Sequence, residues 1–133
     1  MRLRTLNPNL ANAFDQADDA GAVLFDQVFW YSIDLLDEGS KALVDAQPQL
    51  SDLRQRNFPD LADYKDLPDQ LDEIYFDAED DGDDDKARTH FKIARVAAAI
   101  LARAEESYSE AAYEVLMSCD DPEKAAQDSL KFI

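Results

Sequence analysis

Apolar residues recur along this chain mostly at intervals of three and four, the spacing of helices with one buried face. Residues 22–37 carry two such stripes. One is Leu24, Val28, Tyr31 and Leu35, and the other is Phe25, Phe29, Ile33 and Leu36. A helix apolar on two adjacent faces belongs at the centre of a domain. Trp30 falls off both stripes and marks a third contact. Residues 86–107 form the strongest periodic segment, with Ala87, Phe91, Ala94, Ala98 and Leu101 in line and Ile93, Val96 and Ile100 beside them. These two helices are expected to pack on each other, with Ala94 and Ala98 leaving room for close approach.

Shorter elements surround them. A first helix opens near Asn9, carries Leu10, Ala13, Phe14 and Ala17, and is interrupted at 18–21. Glu38-Gly39-Ser40 ends the central helix, and Ser40 caps a short helix over 41–46. Prolines 48, 59 and 68 suit helix starts and predict short helices near 49–56, 60–65 and 68–78. The last of these bears Leu71, Ile74, Tyr75 and Ala78. Ser107 and Glu110 stand in capping-box spacing, where they either open a helix over 109–119 or continue the long one. Asp121-Pro122 starts the last helix, over 123–132, with Ala126, Leu130 and Phe132 inward. No Asn-Gly or Asp-Gly joins two alternating apolar runs, so no hairpin of strands is expected. The expectation is an all-α fold: residues 1–133 as one helical domain of six to eight helices, several short.

Charge changes the picture. Thirty acids face 13 bases in 133 residues, a net charge of −17. Such a field repels nucleic-acid phosphates and anionic lipid, so no direct nucleic acid and no membrane is expected as partner. The apolar, uncharged helical run between Arg95 and Arg103 falls far short of the ~20 residues needed to span a bilayer. Arg2 and Arg4 are not followed by an apolar segment before Asn7-Pro8-Asn9, so no secretory signal and a cytoplasmic location are expected. The lone Cys119 has no partner for an intramolecular disulfide, and Asp120 and Asp121 beside it oppose thiolate formation. It is expected to be an inert, partly buried thiol.

Catalytic patterns are missing. Three glycines supply no phosphate-binding loop, and one Cys with one His supplies no Cys/His zinc site. His90, the only histidine, lies within a predicted helix, and no serine has a G-x-S-x-G context. A structural histidine, no enzyme and no cofactor are expected.

The acidity is concentrated. Residues 60–85 hold 13 acids and one base, Lys65, whereas 86–103 hold Lys86, Arg88, Lys92, Arg95 and Arg103 and no acid. Asp60, Asp63, Asp66, Asp69 and Asp72 recur every third residue. On a helix such neighbours lie ~5–6 Å apart, close to the phosphate spacing of a nucleic-acid strand. The run from 77 to 85 is dense enough to repel itself, and a cation, a basic partner, salt or the basic helix folded back would offset that cost. Phe58, Tyr64, Tyr75 and Phe76 lie in or beside the acidic block, as core rings or as binding anchors. The candidate partner-binding set is Asp60, Asp63, Tyr64, Asp66, Asp69, Asp72, Tyr75, Asp77, Glu79, Asp80, Asp81, Asp83, Asp84 and Asp85.

Within this run Asp77, Glu79, Asp81, Gly82, Asp83 and Asp85 occupy positions 1, 3, 5, 6, 7 and 9 of a pattern that resembles the EF-hand calcium loop. The resemblance covers 12 residues and fails at position 12, where Arg88 replaces the bidentate Glu, and at position 8, where Asp84 replaces an apolar residue. A plain acidic loop is expected, with no metal ligand set assigned. In physical type the chain resembles bacterial immunity proteins and antitoxins: small, acidic, helical and without a catalytic motif. The resemblance implies a non-catalytic inhibitor that occludes a basic protein partner, a toxin or nuclease. The alternatives are a phage-type nucleic-acid mimic that blocks a DNA-binding protein, and a salt-adapted acidic domain. The latter suits 22 Asp against 8 Glu and only six Lys.

Overall fold

Four helices start in the same way. The Oδ1 atoms of Asn7, Asp37, Asp83 and Asp121 accept the backbone N–H three residues on, at 2.9, 2.8, 3.2 and 3.1 Å. Each cap satisfies one of the orphan amides of a first turn, and Pro8 and Pro122 follow two of them where a missing N–H costs nothing. A computed structural model describes residues 2–132, and the Phe132 side chain, expected inward, lies outside the described residues. The helices are α1 (Arg2–Leu6), α2 (Pro8–Ala17), α3 (Gly21–Asp34), α4 (Glu38–Ala46), α5 (Leu67–Asp80), α6 (Asp84–Ala104), α7 (Tyr108–Leu116) and α8 (Pro122–Ser129). Tight 3-10 turns cover Asp18–Ala20, Pro48–Gln55 and Leu130–Phe132. The fold is all-α, with eight α-helices, several of them short, and no strand among the described residues.

The packing order differs from the expected one. α5 and α6 form a helical hairpin, α6 also lies against α4 and α7, and α7 lies against α3. The predicted direct pairing of α3 with α6 is therefore corrected. α7 stands between them, because Ala111, Ala112, Val115 and Leu116 are fully buried and its small side chains admit neighbours on more than one side. The buried arc of α6 is also wider than the predicted stripe. Ile93, Ala94, Val96, Ala97 and Ile100 are buried, while Phe91, Ala98 and Leu101 are half-buried.

Several boundaries move for local reasons. The first long helix starts at Pro8, and α1 precedes it. α3 ends at Asp34, which leaves Leu35, expected inward, 48% exposed. Asp37, not Ser40, caps α4. α6 and α7 are separate helices, divided where Glu106 takes a φ of 62°, and the Ser107 side chain makes no cap. No helix forms over 60–65. There Asp60 turns the chain by accepting the Ala62 amide at 3.0 Å, with Leu61 buried beneath. In α8 Ala126 is buried, as expected, and Leu130 is half-buried in the turn after it. His90 is half-buried on α6, its Nδ1 donating to the Lys86 carbonyl at 2.8 Å. Cys119 is buried, and that burial pushes its thiol pKa up.

The aromatic centre lies on α3. Phe25 and Phe29 are 5.6 Å apart, and Phe58 reaches Phe29 at 4.8 Å and Trp30 at 5.0 Å. Phe58 is thus a core ring. The Arg103 guanidinium covers it at 3.8 Å and pairs with Asp26 at 3.0 Å, which ties the end of α6 to α3. Phe29→Ala should destabilise the protein by about 3–5 kcal/mol, the usual loss for a buried aromatic, as measured by urea unfolding.

A second expectation concerns acid. The Ser40 side chain and amide, with the Lys92 ammonium at 3.3 Å, hold the Asp37 carboxyl down to about 2 from its ordinary 3.8. A depressed folded-state pKa contributes stability above the unfolded value, and that stability is lost as pH falls toward 2. Denaturant unfolding of Asp37→Asn should show a weaker loss of stability between pH 4 and 2 than the wild type.

Candidate functional site

α5 is helical because Leu71, Ile74, Tyr75 and Ala78 recur at i, i+3, i+4 and i+7, as predicted, and Pro68 stands in its first turn. Leu71 and Ala78 are buried against the rest of the fold, while Ile74 and Tyr75 are half-buried at the edges of that stripe. The helix ends where Asp81 is the C-cap and Gly82 takes a φ of 76°. The Asp83 amide then reaches back to the Ala78 carbonyl at 2.9 Å and the Gly82 amide to Glu79 at 3.1 Å. This is a Schellman closure, for which glycine is the natural residue. Asp83 caps α6 directly afterwards, so three residues reverse the chain.

That geometry separates the residues of the EF-hand-like run. Asp77 and Glu79 stay on α5, Asp81 and Asp83 serve the two helix ends, and Asp85 lies in the first turn of α6. Among the described residues no group of three His, Cys, Asp or Glu side chains is placed to hold a metal ion.

The period-three row is broken as well. Asp60 and Asp63 lie in the turn segment and Asp66 precedes the helix, leaving only Asp69 and Asp72 on α5. No continuous track of carboxylates runs from 60 to 72. Asp72, expected to face a partner, instead pairs with Arg95 of α6 at 2.8 Å, and both are largely covered. Arg95 also holds Glu114 of α7 at 3.1 Å. Asp85 pairs with Arg88 at 3.3 Å. Tyr64 is exposed but lines a shallow depression with Pro48, Asp52, Pro59 and Asp60, none of them on α5.

What remains is one outward face. Phe76 is 59% exposed. Its four helical neighbours at i±3 and i±4 are Asp72, Glu73, Glu79 and Asp80, all acids. Its ring lies 5.0 Å from Tyr75, which stands 5.3 Å from Phe91 of α6, so the aromatic patch is anchored at its inner edge. Burial first, and the Glu79 carboxylate second, push the Tyr75 phenol above its ordinary pKa. Among the described residues Asp69, Glu73, Asp77, Glu79, Asp80, Asp81, Asp83 and Asp84 have no basic partner. The structure therefore presents an exposed ring beside three unneutralised carboxylates, Glu73, Glu79 and Asp80.

Phe76 and Glu73 stood outside the predicted set. The signal was in the sequence: a phenylalanine whose neighbours three and four residues away on both sides are acidic does not belong to a buried stripe.

The two roles of Asp on this helix should separate on substitution. Asp72→Asn should cost about 1–3 kcal/mol, because it leaves Arg95 short of a charged partner. Asp80→Asn should change stability by no more than about 0.5 kcal/mol. Parallel urea titrations of the two variants read the contrast.

No protein-family model, no curated protein and no solved structure matches this chain.

Proposed function

We propose that this chain is a non-catalytic binding protein that docks the exposed face of α5 onto a basic surface of a partner protein and occludes it, in the manner of an immunity protein or antitoxin. Phe76 in its carboxylate frame is the observation that carries the reading. Protein interfaces draw most of their energy from a few aromatic anchors ringed by polar groups that exclude water. The surrounding charge sets the partner's sign. Asp69, Glu73, Glu79 and Asp80 have no basic partner among the described residues and are complementary to Lys and Arg. The net charge of −17 would steer a cationic partner from a distance, which raises association rates above the ~10⁵–10⁶ M⁻¹s⁻¹ of neutral pairs. Asp72 supports the face by holding α5 to α6 and is not itself a contact.

Wild type and Phe76→Ala, used as paired baits on extract from the source cell, should differ in one captured basic protein, identified by mass spectrometry. With that partner purified, Phe76→Ala should speed dissociation about thirtyfold, the effect of an anchor worth ~2 kcal/mol. Replacing Glu73, Asp77, Glu79 and Asp80 by their amides should mainly slow association and flatten its salt dependence. An association rate indifferent to salt, or an affinity unchanged by both sets, would overturn the reading. A chain that folds only in molar salt would point to salt adaptation as the source of its acidity.

A further inference from the structure

Between the end of α3, α4 and the 3-10 segment Pro48–Gln55 lies a cleft of about 290 Å³. Its floor is apolar: Ile33, Leu36, Val44 and Leu53, the last three otherwise buried in the core. Its rim carries Lys41, Arg54 and Arg56, three of the 13 cations of a strongly acidic chain, against Asp34 and Asp45. Four other surface clefts hold one base or none.

The rim cations are only partly engaged. Arg54 gives its Nε to Asp45 at 2.7 Å, and Arg56 gives Nη1 to Asp34 at 3.0 Å. A guanidinium carries five N–H donors, so each retains several for a further acceptor. Lys41 has no acidic partner among the described residues. Arg56 is moreover held at φ 56°, ψ 40°, a left-handed conformation that costs a non-glycine residue energy. Its guanidinium stacks 4.8 Å from the Trp30 ring. The Trp30 ring and Asp34 thus keep a cation beside an apolar cleft.

We infer that this cleft binds a small amphipathic carboxylate. The apolar body lies on Leu36, Val44 and Leu53, and the carboxylate takes charge-assisted hydrogen bonds from Lys41 and the uncommitted donors of Arg54 and Arg56. The volume suits a molecule of roughly ten non-hydrogen atoms, since a liquid water occupies ~30 Å³. The sign of the ligand follows from the rim, where three cations meet two anions. This site is independent of the α5 face and of its partner.

Octanoate is a probe of the right size. Titrated into the ¹⁵N-labelled protein, it should move the amide signals of Lys41, Val44, Leu53 and Arg54 saturably, while signals of α5 stay in place. The double variant Lys41→Glu, Arg54→Glu, with its fold checked by circular dichroism, should bind at least about tenfold more weakly. Octyltrimethylammonium, apolar to the same extent but cationic, should leave these signals unmoved. If octanoate moves none of these signals below its micelle concentration, the site does not exist. Equal shifts with the cationic amphiphile, or undiminished binding by the double variant, would overturn the assignment of a carboxylate ligand.

Discussion

Arg95 holds the bundle at its most crowded seam. It lies between Asp72 of α5 at 2.8 Å and Glu114 of α7 at 3.1 Å, and Arg2 of α1 reaches the other oxygen of Glu114 at 2.8 Å while covering Tyr113 at 4.5 Å. Lys92, one turn earlier on α6 and with its side chain 5% exposed, binds Asp37 at the start of α4 at 3.3 Å and Asp120 after α7 at 2.7 Å. Arg103 does the same for α3 through Asp26. The stretch 86–103 carries five bases and no acid, and it supplies a cation to most of the elements around it. Covered pairs of this kind add little net stability over apolar contacts, but losing one partner strands the other, so they fix which helices may lie together.

That arrangement decides what the surface looks like. Lys92, Arg95 and Arg103 of α6 point into helix seams and neutralise acids there, and the carboxylates left over lie outside. The chain's negative field is thus sharper than its net charge suggests, since inward pairing removes cations from the exterior. The cleft beside α4 gathers three of the cations that stay exposed, Lys41, Arg54 and Arg56. Two surfaces of opposite character follow from one scarcity of cations.

Periodicity made α3, α5 and α6 legible, because each buries a continuous stripe that repeats at helical spacing, and the Asp121-Pro122 start made α8 so. It failed where burial depends on neighbours. α7 offers only nine residues, too few for its central place to show, and that place comes from Ala111 and Ala112 admitting helices on several sides. The helix expected over 60–65 rested on Pro59 as a helix start, yet Asp60 bonds a local amide and the segment turns. Aspartate favours helix starts and turns alike, so its spacing alone carries little structural information. Asp72 was placed correctly in the acidic block but not in its role. Nothing in the local sequence shows that Arg95, 23 residues on, comes to 2.8 Å from it.

The α5–α6 turn shows where the fold leaves electrostatic cost standing. Asp83, Asp84 and Asp85 sit at the N-terminus of α6, where the helix dipole favours anions. Asp77, Glu79 and Asp80 sit in the last turn of α5, where the same dipole opposes them, and that turn holds no base. Lys86 and Arg88 lie just beyond, yet Arg88 turns to Asp85 and Asp37. Asp77, Glu79 and Asp80 therefore lower stability in the isolated chain through the dipole and through mutual repulsion. Their other near neighbour on the helix is Phe76, an exposed ring that also gains nothing from solvent. Unfavourable charge and exposed apolar area coincide on this one face, and a basic surface with room for a phenyl ring relieves both at once.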